Sequence, residues 1–108
     1  MATRHDLTID QGATFELAIE PLDAFGDRLD LNGVTARAQI RRSYPEPYPM
    51  AEFDCVVTDG VIDLTLTAEN SSKLIAPTGV WDVELVTPLG EVVRLVEGGV
   101  EIRPEVTR

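Results

Sequence analysis

The sequence contains one histidine, His5, and one cysteine, Cys55. Nucleophilic catalysis needs a nucleophile held within hydrogen-bond reach of a base, and His5 stands close to the N-terminus, far along the chain from Cys55. Cys55 shares an alternating phase with Phe53 and Val57, which marks it as a small core hydrophobe rather than a reactive thiol. A single cysteine leaves no internal disulfide and no thiolate zinc cluster. Asp23, Asp27 and Asp30 crowd one stretch and offer hard oxygen donors, but their spacing lacks the twelve-residue pattern and closing bidentate Glu of a calcium loop. Asp82 and Glu84, two apart, would share one face of a strand as an acid and base pair could, and equally as a solvated outer surface would. With no glycine-rich phosphate loop either, these residues predict no catalytic centre, no metal and no cofactor.

Residues suited to contact rather than chemistry are easier to find. The run Tyr44-Pro45-Glu46-Pro47-Tyr48-Pro49 holds three prolines, which cannot donate into a sheet ladder and bias the backbone to extended, polyproline-like geometry. Two tyrosines on such a backbone provide contact area at small ordering cost, so Tyr44, Pro45, Pro47 and Tyr48 form either a docking loop or a plain linker. Arg37 and Arg41 alternate with Ala36, Ala38 and Ile40 and share the wet side of that run. They can pair with a partner's carboxylates or with this chain's own outward acids.

The elements that must position these residues are short and extended. Val, Ile and Thr together make 28 of the 108 residues, and apolar residues recur at every second position, the period of a half-buried strand. Strands are expected at Leu7 and Ile9, at Phe15, Leu17 and Ile19 as far as Pro21, and from Val34 to Arg41 by way of Ala36, Ala38 and Ile40. Phe53, Cys55 and Val57 lead into Asp59-Gly60, a strong two-residue hairpin signal, and Ile62, Leu64 and Leu66 return. Residues 67–74 read as about two turns of helix, started by Thr67 with Glu69 at its positive end and stopped by Pro77 and Gly79. Trp81, Val83 and Leu85 then face the core, followed by Val93 and Leu95, a bulge or bend at Gly98-Gly99, and Val100 with Ile102. Seven or eight short strands with one short helix predict an all-β, immunoglobulin-like antiparallel sandwich, without the paired cysteines that flank the tryptophan of antibody domains.

Length and charge narrow the function. At 108 residues the chain is one domain, 1–108, with room for a single core but not for a deep catalytic cleft as well. A formal charge of −10 argues against nucleic acid and anionic membranes, whose affinity is drawn from Lys and Arg. No apolar run approaches the roughly 18 residues of a membrane span, and the first ten residues lack the basic start and apolar stretch of a signal peptide, so a soluble, unexported chain is expected.

Read end to end, the chain resembles a type of short structural protein of tailed bacteriophage virions, similar to the immunoglobulin-like N-terminal domain of phage baseplate upper proteins. The resemblance covers nearly the whole sequence. It is carried by Asp6-Leu7-Thr8-Ile9-Asp10-Gln11-Gly12-Ala13-Thr14-Phe15, by Leu31-Asn32-Gly33-Val34-Thr35-Ala36 running into Ile40-Arg41, and by the hairpin ending at Gly60. It continues through Leu64-Thr65-Leu66-Thr67-Ala68-Glu69, Gly79-Val80-Trp81-Asp82-Val83-Glu84-Leu85, Arg94-Leu95 with Gly98, and Pro104-Glu105-Val106-Thr107-Arg108. The resemblance implies a non-enzymatic component of the tail, baseplate or neck, made in the bacterial host cytoplasm, present in many copies in a symmetric assembly, and docked on other virion proteins. A capsid decoration protein is the alternative within that class. A free immunoglobulin-like module recognising a carbohydrate or small ligand is the alternative outside it.

Overall fold

Alternation of apolar and polar side chains decides where this chain is extended and which way each strand faces. The computed structural model describes residues 2–107; Met1 and Arg108, the last residue of the C-terminal motif, lie outside it. Along these residues run β1 (Thr3–Arg4), β2 (Leu7–Asp10), β3 (Phe15–Ile19), β4 (Thr35–Arg41), β5 (Ala51–Glu52), β6 (Asp54–Thr58), β7 (Val61–Leu66), α1 (Ala68–Ser71), β8 (Thr78–Val86) and β9 (Val92–Arg103). The larger sheet has the order β1-β9-β8-β4-β5 with β2 also on β9, and the smaller has the order β3-β7-β6. A three-stranded sheet facing a sheet built on β4, β8 and β9 is the arrangement of an immunoglobulin-like β-sandwich.

One feature departs from the expected antiparallel pattern. β1 and β2 run parallel to β9, in the registers Thr3↔Val96 and Leu7↔Val100. Parallel neighbours need a long crossover, and here the whole intervening sandwich supplies it. The chain changes sheet four times, and two of these crossings are short: the first between β2 and β3 about the turn at Gln11-Gly12, and the second between β5 and β6 at Phe53. At the second crossing the Phe53 amide donates to the Ala38 carbonyl at 3.0 Å.

Local signals behaved as their chemistry requires. Asp59 and Gly60 both have positive φ, 41° and 80°, and Thr58 pairs with Val61 across them, the geometry of a two-residue hairpin turn. Thr67 caps α1 by accepting the Asn70 amide at 3.2 Å. The helix is a single turn rather than two, ending by Ser72, and Gly79 lies within β8 instead of stopping the helix.

The C-terminal strand corrects the sequence reading. The segments around Val93 and Val100 are one continuous strand, β9, and its irregularity falls between Val83↔Val96 and Glu84↔Arg94, which leaves Leu95 as the extra residue. A bulge shifts the side-chain phase by one, so Val93 is 48% exposed while Val96 is buried at 7%. Gly98 serves closeness rather than bending, because a Cβ there would overlap the His5 carbonyl. The Asp6 carboxylate accepts the Gly99 amide at 2.8 Å beside it.

Trp81 is 2% exposed. Its ring lies tilted 6.1 Å from Phe53, which lies 6.2 Å from Phe15, so three aromatics cross the core from β8 to β3. Its indole Nε1–H donates to the His5 carbonyl at 2.8 Å, pinning the N-terminal segment to β8. Trp81→Ala should therefore destabilise the fold by about 3–5 kcal/mol. Trp81→Phe, which retains most of the ring but loses the donor, should cost about 1–2 kcal/mol, both read from urea unfolding.

Candidate functional site

The 42–50 segment connects β4 to β5 at one end of the sandwich. Tyr44 and Tyr48 are 66% and 80% exposed, and Pro45 and Pro47 lie exposed between them. The backbone beneath them is fastened. Arg41 donates through Nη1 to the Glu46 carbonyl at 2.7 Å and through Nη2 to Gln39 Oε1 at 2.9 Å. The Met50 amide closes the loop onto the Ile40 carbonyl at 2.7 Å. The rings thus stand in water on a loop whose base is held by the sheet.

Arg41 and Arg37, side by side in the sequence reading, have separate duties. Arg37 Nε lies 2.9 Å from Glu84 Oε1 on the neighbouring strand, so the acid it pairs with is this chain's own. Arg94 sits between Asp82, at 3.5 Å, and Glu97, at 3.4 Å. A shallow concavity of about 280 Å³, lined by Gln39, Arg41, Tyr44, Asp82, Glu84 and Arg94 among others, joins this charged face to the tyrosine loop. The place of Arg94 opposite Glu84 follows from the bulge at Leu95, a tertiary feature without a local signal.

Burial raises the Asp82 carboxyl above its ordinary value, the neighbouring Glu84 pushes it further, and Arg94 opposes the shift. Asp82 and Glu84 are therefore members of a charged lattice on the sheet surface.

The other sequence candidates resolve into structural parts. Asp23 Oδ1 accepts the Phe25 amide at 2.8 Å and the Asp27 amide at 3.0 Å, and Asp30 Oδ1 accepts the Asn32 amide at 3.0 Å, so these acids build turns. His5 presents its ring edge-on to Trp81 at 6.4 Å. Cys55 is half-buried, with Sγ 3.7 Å from the Phe53 carbonyl. Burial raises its thiol pKa, and Asp54 adds to the shift, which disfavours the reactive thiolate.

The site therefore belongs to an immunoglobulin-like β-sandwich with a fastened aromatic loop at one end. Among solved structures the chain is similar to the M1 domain from titin, at 14% identity and a TM-score of 0.45 over 100% of this chain and 96% of that one. It is similar also to murine CRIg, at 11% identity and a TM-score of 0.42 over 94% of this chain and 92% of that one. No protein-family model and no curated protein matches the sequence.

The raised Asp82 carboxyl gives a pH-dependent expectation. Below the ordinary carboxylate value of 3.8 the group is protonated in folded and unfolded chains alike and contributes nothing. As pH rises the unfolded chain ionises first, and the full penalty on the fold is reached above the raised folded value. Asp82→Asn should accordingly raise the melting temperature at pH 7, by the equivalent of less than about 1 kcal/mol because the group is partly exposed. The advantage over the parent should vanish in melts recorded below pH 3.8.

Proposed function

We propose that this chain is a non-enzymatic structural component of a tailed phage particle, an adaptor of the tail, baseplate or neck that works by docking on other virion proteins. The observation that carries the docking half is the 42–50 loop, where Tyr44 and Tyr48 stand exposed on a backbone held by Arg41. A loop ordered in advance loses little freedom when it binds, and tyrosine is enriched among the residues that dominate interface energy. The virion half rests on the resemblance that runs from Asp6 to the C-terminal Pro104-Glu105-Val106 segment. An adaptor role suits a chain whose concavity beside the loop is shallow and polar, since small-ligand sites are enclosed and mostly apolar. The charged face around Arg94 gives the docking surface a polar margin.

Replacing Tyr44 and Tyr48 together by Ser should leave unfolding free energy within about 0.5 kcal/mol of the parent, because neither ring is in the core. Incorporation into particles, measured by quantitative mass spectrometry of purified virions, should fall several-fold. Absence of the parent chain from such particles would overturn the virion assignment. Normal incorporation of a folded double variant would overturn the role of the loop.

A further inference from the structure

The two ends of the sandwich differ in charge. β9, with twelve residues, extends roughly 40 Å and so lies along the 44 Å dimension of a molecule measuring 44 × 27 × 22 Å. At one end gather the 20–34 loop, the Asp59-Gly60 turn and the 87–91 turn. Their proximity is marked by Arg28 Nη1 reaching the Asp59 carbonyl at 3.5 Å, and by the contact a Cβ at Gly33 would make with Pro88. Glu20, Asp23, Asp27, Asp30, Asp59 and Glu91 lie here against one cation, Arg28, which is held by Glu20 at 2.8 Å. A concavity of about 450 Å³ opens between Asp30 and Asp59, lined also by Arg28, Leu29, Leu31 and Val57. Beside it Phe25 and Leu89 are 90% and 88% exposed.

The opposite end carries the tyrosine loop and Arg42. Among the described residues Arg42 makes neither an ion pair nor a side-chain hydrogen bond, although its side chain is exposed next to Tyr44. At this tip Arg41 and Arg42, neither in an ion pair among the described residues, outnumber the single carboxylate Glu46 beside the two exposed tyrosines, and so complement an acidic concavity flanked by Phe25 and Leu89.

We propose that copies of this chain associate head to tail, the Arg42 and Tyr44–Tyr48 tip of one seating on the Asp30 and Asp59 end of the next. This inference rests on the docking reading above and names one partner for the loop, a second copy. Stacking along the 44 Å axis also suits a chain of charge −10. It sets the centres of neighbouring copies about 44 Å apart, whereas lateral packing would set them 22–27 Å apart, so like-charge repulsion between bodies is weaker end to end. An end face of 27 × 22 Å offers at most roughly 600 Å² a side, at the lower limit of a specific interface, so the contact is weak for one pair and gains strength where the copies close into a ring.

Sedimentation velocity on the purified chain tests this. At about 0.5 mM and low salt the wild type should form species larger than dimers, and these should dissociate near 1 M NaCl as screening removes the charge term. Arg42→Glu alone, and Asp27→Lys with Glu91→Lys, alter side chains without hydrogen bonds among the described residues, so both proteins should melt like the parent and run as monomers. Mixed in equal amounts they should assemble again, because the intact tip of the second fits the intact acidic end of the first, and the charges reversed by Arg42→Glu and by Asp27→Lys with Glu91→Lys are themselves of opposite sign. A wild type that stays monomeric, variants that assemble like the parent, or a mixture that stays monomeric would each overturn the head-to-tail contact. A monomeric chain that still enters particles through its tyrosines would sink this inference alone and leave the adaptor reading standing.

Discussion

The aromatic line Phe15, Phe53 and Trp81 is the constraint on which the rest of the sandwich depends. Antibody domains join their sheets by a disulfide between the strands equivalent to β3 and β8, and this chain has only Cys55, on β6. Here the link between the same two strands is made of rings. Phe15 extends from β3, Phe53 sits where the chain changes sheets, and Trp81 extends from β8. Stacked centroids at 6.1 and 6.2 Å fall within the range for favourable tilted pairs, and such rings bury more area than any aliphatic replacement.

The same tryptophan organises the edge of the larger sheet. Its indole N–H takes up the His5 carbonyl, Gly98 leaves room for that backbone, and Asp6 caps the Gly99 amide, so β1 and β2 are laid parallel to β9. Among the described residues no buried side-chain polar atom is without a partner. The tyrosine loop is attached through Arg41 and through the Met50 amide on the Ile40 carbonyl.

Charge is distributed in two different ways over this frame. Along the sheet surface Arg37 and Arg94 pair with Glu84, Asp82 and Glu97 and offset most of their charge. At the end formed by the 20–34 loop and the two turns the carboxylates of Asp27, Asp59 and Glu91 make no ion pair among the described residues. Surface pairs of the first kind add little stability because water screens them and ordering costs entropy. Uncompensated charge of the second kind contributes instead to which surfaces can meet and how quickly.

Much of the frame was legible in the sequence because its signals are local. Period-two alternation placed Leu7 with Ile9 and Trp81 with Val83 and Leu85 on the buried side, the Asp59-Gly60 pair could adopt the two positive φ values a hairpin turn needs, and Thr67 with Glu69 two residues on marked a helix start. Proline content likewise kept the tyrosine loop out of the sheets. What tertiary structure decided depends on contacts between residues far apart in the chain. β1 and β5 are too short to show a period and exist because β9 and β4 offer them partners. The bulge at Leu95 exchanged Val93 for Val96 in the core, and with it set Arg94 opposite Glu84. Arg37 could be read as outward from the alternation alone, but the choice of Glu84 as its partner belongs to the register between β4 and β8, which a local pattern does not contain.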